Sequence, residues 1–219
     1  MSESALQEYA VRVGSYPAYI YDLPGLAEHA AAIRAALPGT EIYYAAKANP
    51  DAEILRTLAP HVDGVEVSSG GELDHVRTTL PGMPVAFGGP GKTTEELSLA
   101  QRLKVERIHV ESPRELSRLP GPADVLLRAN LPLATPGAAL SMSGPFGMDE
   151  DDLRECARRI AATPGVELRG IHVHLASGLD ALAMLDLAHR VRDWAVPWLE
   201  EHGITDPELN IGGGMAVDY

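Results

Sequence analysis

Short apolar, β-rich runs alternate with stretches of helical periodicity along almost the whole chain. Ile42-Tyr43-Tyr44-Ala45-Ala46 reads as a strand, and the helix after it carries Ile54, Leu55 and Leu58. Residues 62–67 give the next strand, followed by a helix with Leu73 and Val76. Residues 84–87 are a third, and the helix behind it opens at Thr93. Thr93 and Glu96 have the spacing of a capping box, in which two side chains satisfy N–H groups that the first helical turn leaves unpaired. Residues 107–110 form a fourth strand; Ser112-Pro113-Arg114-Glu115 then gives a second capping box, with proline at the first helical position. Residues 125–129 and 168–174 read as the fifth and sixth strands, separated by a loop rich in Gly, Pro and Ser over 131–147 and a helix over 149–162. A long helix over 179–201 leads to Leu209-Asn210-Ile211, a seventh strand, and Gly212-Gly213-Gly214 follows at once. Ahead of all these, Asp22-Leu23-Pro24 opens a helix with Leu26, Ala30, Ile33 and Leu37 on one face.

Strand–helix alternation at this spacing implies parallel strands, because parallel neighbours need a crossover connection. The runs hold few strongly charged residues, the expectation for strands buried on both faces. Two architectures satisfy the pattern: a closed (β/α)8 barrel or an open doubly wound sheet. A barrel needs eight strands and typically ~250 residues. The sequence offers about seven, so either one strand escapes this reading or the chain ends before its fold does.

Composition narrows the classes. The 219 residues are 45% hydrophobic and 22% charged, a globular balance, and suffice for one substantial domain. A formal charge of −13 repels phosphate backbones, which argues against a nucleic-acid partner. No apolar run approaches the ~18 residues a membrane span needs. Met1-Ser2-Glu3-Ser4 lacks the basic and apolar regions of a signal peptide, so the expected compartment is the cytoplasm. The one cysteine, Cys156, falls in the apolar stripe Leu153, Cys156, Ala157, Ile160, where a thiol packs as a small hydrophobe.

Candidate chemistry gathers where strands end, the place where both architectures bind ligands. Lys47 directly follows the first strand. It is either a solvated loop charge or a desolvated amine able to form a Schiff base with an aldehyde. His172 and His174 are two apart on one strand and so face one side. They read as a pair of core histidines, as one edge of a metal site, or as a flat ring beneath an aromatic ligand. No third zinc ligand stands out, and no metal is expected. The triple glycine either ends a strand or offers bare N–H groups to a phosphate, as barrels often do after late strands. Phe87-Gly88-Gly89-Pro90-Gly91-Lys92 comes closest to a nucleotide-triphosphate loop but has the wrong spacing.

With these residues in view, the chain resembles the fold-type III pyridoxal-phosphate decarboxylases, the group of the diaminopimelate, ornithine and arginine decarboxylases. Tyr44-Ala45-Ala46-Lys47-Ala48-Asn49 looks like the lysine motif of that family, and Ser69-Gly70-Gly71-Glu72-Leu73 matches its next signature. Glu66 stands where Asp is more usual, and Leu127-Arg128-Ala129-Asn130 matches the arginine strand. His174 with Ser177 matches a histidine–serine pair, and Gly212, Gly213 and Gly214 match the phosphate-binding glycines. The resemblance runs from about Tyr16 to the last residue.

It implies a TIM-like barrel of the alanine-racemase type, truncated after about seven strands, as a single domain over residues 1–219. It also implies pyridoxal 5'-phosphate as cofactor, an amino-acid substrate and a homodimer for a full-length member. Lys47 and His174 would be catalytic, with Lys47 carrying the cofactor. Glu66, Glu72, Arg128, His174, Ser177, Gly212, Gly213 and Gly214 would surround it. Phe87-Gly88-Gly89-Pro90-Gly91-Lys92 and Gly144-Pro145-Phe146-Gly147-Met148-Asp149 look closest to decarboxylases of siderophore and other secondary-metabolite pathways. Leu175-Ala176-Ser177-Gly178 departs from the usual Gly-Ser. The later Glu-Pro-Gly-Arg motif and C-terminal β domain of the family are absent, so weak activity of this chain alone is expected. A racemase on the same barrel and a non-catalytic cofactor-binding protein are the alternatives.

Overall fold

Each apolar run that reads as a strand pairs in parallel with its neighbour in the chain. The computed structural model describes residues 3–14, 17, 19–142 and 144–217. Met1, Ser2, Tyr16, Ser143 and Tyr219 lie outside the described residues, so the ends of the resemblance do too. The strands β1 (Tyr43–Ala45), β2 (Gly64–Val67), β3 (Val85–Phe87), β4 (Arg107–Val110), β5 (Ala123–Arg128), β7 (Val166–His172) and β9 (Glu208–Asn210) form one seven-stranded sheet in the order β1-β2-β3-β4-β5-β7-β9. Every neighbouring pair is parallel. Two further strands of two residues each, β6 (Leu140–Ser141) and β8 (Ala176–Ser177), pair antiparallel on their own.

Helices α2 (Leu23–Ala36), α3 (Ala52–Leu58), α4 (Gly70–Thr79), α5 (Thr94–Arg102), α6 (Pro113–Leu116), α7 (Glu150–Ala161) and α8 (Ala181–Glu201) alternate with the strands. A helix over Glu3–Val13, α1, precedes them and has no counterpart in the sequence reading. Most of these helices start on a side chain that accepts from the first turn: Asp22, Asp51, Ser69, Thr93, Ser112, Asp149 and Asp180. The Thr93/Glu96 capping box is complete. The one expected at Ser112 is half made: Ser112 caps Glu115 N–H at 3.1 Å, but the Glu115 carboxylate turns inward to Lys92. Leu37 ends α2 instead of continuing its apolar face and is 40% exposed. Cys156 is fully buried, and burial pushes its thiol up to about 12. No helix among the described residues is long and apolar enough to cross a membrane.

The main core lies between sheet and helices. Val65, Val67, Val85, Phe87, Ile108, Val110, Val125, Leu127, Ile171 and Val173 pack there against Leu73, Val76, Leu97, Leu153 and Leu199. Alternate residues point to the opposite face, because successive Cβ atoms leave a strand on opposite sides. That face carries Glu66, Arg107, His109, Arg128 and His172, so these strands are not apolar on both sides.

The sheet curls around this polar face. At its floor Arg107 of β4 reaches Glu208 of β9 through two bonds, one of 2.6 Å from Nε, and Asp124 of β5 at 3.2 Å. The Tyr43 hydroxyl donates to Glu106 at 2.8 Å beside it. The fold is therefore a (β/α) barrel of parallel strands, curled but left with β1 and β9 at the two ends of the order.

Candidate active site

The C-terminal ends of the strands open onto a rim, and the candidate residues stand on it or just inside. Strand β1 runs directly into a 3-10 turn, Ala46–Ala48, that sets Lys47 exposed at the mouth. Tyr44 holds the turn from below, its hydroxyl donating to Asn49 O at 3.0 Å.

Glu66, on β2, points into the lumen. Burial raises its carboxyl above the usual range, while the charges of Lys47 and Arg128 and a hydrogen bond with Asn210 pull it back. Asn210 thus ties β9 to β2, and its Oδ1 also accepts from Gly212 N–H at 2.9 Å. Beneath Glu66 lie His109 of β4 and His172 of β7, 1% and 5% exposed, with ring centroids 4.4 Å apart. Burial, with Lys92 and Arg128 nearby, pushes His109 down to about 3, and burial likewise holds His172 well below its ordinary value. Both rings are neutral. The ligand-type atoms of Glu66, His109 and His172 lie within 4.8 Å of one another, a third group beside the histidines that their spacing in sequence did not reveal.

Arg128, at the end of β5, is buried and locked: Nη1 donates to Glu111 Oε1 at 2.6 Å, and its guanidinium lies 5.4 Å over the Phe146 ring. Phe146 belongs to the 131–147 segment. That segment is not all loop, since β6 within it pairs Leu140 with Ser177 and Ser141 with Ala176.

Strand β7 ends at His172, so His174 lies just beyond it instead of within it. Burial and the charges of Lys47 and Arg128 lower its value, leaving a neutral ring near the mouth. Gly212, at φ +72°, is in the left-handed region, and a Cβ there would run into that ring. The 177–179 and 214–216 segments then join: Gly178 N–H donates to Gly214 O at 2.6 Å and Ala216 N–H to Leu179 O at 2.9 Å. A Cβ on Gly214 would sit 2.9 Å from Ser177 Oγ, so the hydroxyl touches the glycine turn. Gly213 faces open space: among the described residues, its chain neighbours aside, no atom lies within 4 Å of where its Cβ would be. Gly212 N–H is committed to Asn210, which leaves the N–H groups of Gly213 and Gly214 and the Ser177 hydroxyl as donors to an anion.

Glu72 has a different post. Its Oε2 accepts from Ser68 N–H at 2.7 Å while Ser69 Oγ accepts from Glu72 N–H at 3.2 Å, so the residue closes the start of α4. Two further residues, Lys92 and His109, to which the sequence reading gave no place in the site, are built into the wall. Lys92 Nζ, deeply buried, donates to Gly89 O, His109 O and Glu115 Oε1 at 2.9, 2.6 and 2.9 Å. The signal for His109 was present as the alternation Ile108-His109-Val110.

An exposed primary amine, a flat neutral imidazole, a turn of bare N–H groups and a hydroxyl suit an aromatic aldehyde that carries a phosphate. The missing Cβ atoms at Gly212 and Gly214 keep that space clear. Pyridoxal phosphate fits this donor set.

Residues 24–219 match the family model described as "Pyridoxal-dependent decarboxylase, pyridoxal binding domain". A 2-[(L-alanin-3-ylcarbamoyl)methyl]-2-hydroxybutanedioate decarboxylase of Staphylococcus aureus is 39% identical over 213 residues, 92% of this chain and 53% of that protein. Diaminopimelate decarboxylase of Actinosynnema pretiosum is 31% identical over 228 residues, 97% of this chain and 50% of that protein. Among solved structures, diaminopimelate decarboxylase from Helicobacter pylori complexed with L-lysine aligns at a TM-score of 0.85 and 25% identity, covering 97% of this chain and 58% of that one. An SrLDC variant in complex with PLP aligns at 0.79 and 27%, covering 99% and 56%. The chain spans about half the length of the relatives it matches.

Proposed function

This chain belongs to the pyridoxal-dependent decarboxylases, whose pyridoxal-binding domain it matches, and we propose that it forms the cofactor-holding part of a cytoplasmic, homodimeric enzyme that decarboxylates an amino-acid-derived metabolite. The observation that carries this is the single rim on which Lys47, His174, Ser177 and the glycine turn meet. When bound, pyridoxal phosphate supplies an electron-withdrawing ring that takes up the electron pair left behind by departing carbon dioxide.

The residues divide the remaining work. Lys47 would supply the amine that holds the cofactor aldehyde. His174, held neutral by burial and by two nearby cations, would present a flat face to the aromatic cofactor. Ser177, Gly213 and Gly214 direct donors at the phosphate. Arg128, fixed by Glu111, and Glu66 place opposite charges just inside the rim, where they would polarise bound groups.

The likeness to the Staphylococcus aureus decarboxylase supports a substrate class of modified amino acids from secondary metabolism, siderophore building blocks among them, over a single proteinogenic amino acid. The chain by itself is expected to turn substrate over weakly, because the open β1 and β9 edges leave one side of the mouth without a wall.

The test is to incubate the chain with pyridoxal phosphate, reduce with borohydride and map the modified lysine. Selective modification at Lys47, lost in Lys47→Ala, is the expected result. Full labelling of the Lys47→Ala chain would sink the assignment.

A further inference from the structure

Among the described residues, His109 Nδ1 and His172 Nδ1 are buried side-chain nitrogens with no hydrogen-bond partner. Such atoms are rare in a folded interior and need an explanation. The His172 ring lies against the His109 ring, centroids 4.4 Å apart and planes tilted by 39°, and so limits its rotation. His109 Nδ1 lies 3.8 Å from Glu66 Oε2. Gly88 makes room for the approach: a Cβ there would stand 3.3 Å from Glu66 Oε1 and 3.5 Å from His109 Nδ1.

We propose that His109 is a positioning residue whose Nδ1 holds the Glu66 carboxylate toward Lys47. The inference rests on the reading of Lys47 as the cofactor lysine and deepens it. A small rotation of the Glu66 carboxylate closes the gap to a hydrogen bond, and contacts of this kind are often long until a site is filled.

The surrounding charges say which cation Glu66 serves. Those that face the pair are Lys47 from the turn after β1, Lys92 ahead of α5 and Arg128 on β5; the titratable rings are His172 on β7 and His174 just after it. Lys92 is matched by Glu115 and Arg128 by Glu111, each through a buried ion pair. Lys47 remains as the cation for Glu66. A neutral imidazole carries one ring proton. Placed on Nδ1, that proton donates to the carboxylate and fixes the rotamer that Asn210 holds from the other side. A carboxylate kept there feels the charge of Lys47, and by the same coupling its position acts on the amine.

The test follows the pH dependence of Lys47 labelling by pyridoxal phosphate and borohydride in the whole chain, with peptide mapping. Glu66→Gln and His109→Phe should both move the labelling midpoint to lower pH by roughly half a unit, about threefold more labelling at a fixed pH below the midpoint. The double variant should move no further than Glu66→Gln alone, because both act through one carboxylate. His109→Asn, whose amide nitrogen falls near Nδ1, should stay close to the unmodified chain. Should His109→Phe fail to fold, Glu66→Asp gives a second route: it withdraws the carboxylate from His109, leaves the His109–His172 contact intact and should shift the midpoint the same way.

An unchanged midpoint in His109→Phe, or in Glu66→Asp where that route is used, would overturn the proposal, as would shifts that add in the double variant. So would a metal ion bound at one per chain and lost in His109→Phe, since the three residues would then be ligands. No labelling of Lys47 in the unmodified chain removes the cofactor reading and this inference together. Labelling with an insensitive midpoint removes this inference alone.

Discussion

Replacing Lys92 by methionine tests the buried charge behind the rim. Lys92 and Glu115 side chains are each 1% exposed, and Nζ sits 2.9 Å from Oε1 while also serving the Gly89 and His109 carbonyls. Methionine keeps most of the stem volume and removes all three donors. What remains is a carboxylate in the interior without a cation, and breaking a buried pair from one side costs about 3–5 kcal/mol. In a domain of this size that corresponds to a melting point lower by roughly 6–20 °C, at about 2–4 °C per kcal/mol. Burial already raises the Glu115 carboxyl, and Lys92 is the chief charge pulling it back, so its removal raises it further. A carboxyl raised in the folded state binds its proton there first as pH falls. The deficit of Lys92→Met against the parent should therefore shrink between pH 7 and pH 5. The double variant Lys92→Met/Glu115→Leu removes both charges and should recover most of the loss, because buried pairs are replaced by apolar residues at little net cost. Urea denaturation followed by circular dichroism at the two pH values measures all of this. A single variant within about 1 kcal/mol of the parent, or a double variant no better than the single, would refute the reasoning.

Other consequences are quicker to state. His109 is pushed down to about 3 and His172 well below its ordinary value, so both stay neutral when folded and take up protons on unfolding below about pH 6.5. Stability should fall by roughly 2 kcal/mol from pH 6 to pH 5, at up to ~1.4 kcal/mol per pH unit per histidine, with Glu66 and Glu115 opposing as the carboxylate range is reached; denaturation midpoints that do not move over this interval would contradict the burial of these rings. Gly212→Ala forces a side chain into the left-handed region and against His174, and should cost about 1–3 kcal/mol while weakening capture of pyridoxal phosphate at Lys47, read by reduction and mapping. Arg107→Leu leaves Glu208 without its cation at the barrel floor and Asp124 with Arg169 alone, and should destabilise by roughly 1–3 kcal/mol, with Lys47 labelling retained at temperatures well below the melt.

What was legible in the sequence was local. The order of elements followed from apolar runs and from caps such as Thr93 with Glu96, because a cap joins residues three apart and needs no knowledge of the fold. Lys47 and the 212–214 glycines were legible because both directly follow strands. Glu115 misled for the same reason: cap spacing was visible, whereas its partner Lys92 lies 23 residues away and is found only when β3 and β4 pair. His109 was hidden by the expectation of strands apolar on both faces. The polar lumen instead imposes a period of two in Ile108-His109-Val110 and Ile171-His172-Val173, a pattern that says nothing about which polar residues will meet. Asn210 had no signal at all, since its bonds to Glu66 and Gly212 depend on a sheet curled until β9 comes near β2. The β6–β8 pair is two residues long on each side, too short for any periodicity.

The order β1-β2-β3-β4-β5-β7-β9 follows the chain, so every pairing within this sheet joins a strand to the member of the sheet made before it. A polypeptide emerging from the ribosome can therefore extend this sheet strand by strand, without waiting for distant segments. The rim does not share that convenience. Lys47 arrives early, yet Asn210, Gly213 and Gly214 arrive with β9 and the turn after it, and the Arg107–Glu208 clasp spans 101 residues. Binding competence thus waits for β9 and the turn after it. A ligand held between the Lys47 turn and the 212–214 turn would bind only chains in which β9 has docked, and would draw molecules toward that arrangement.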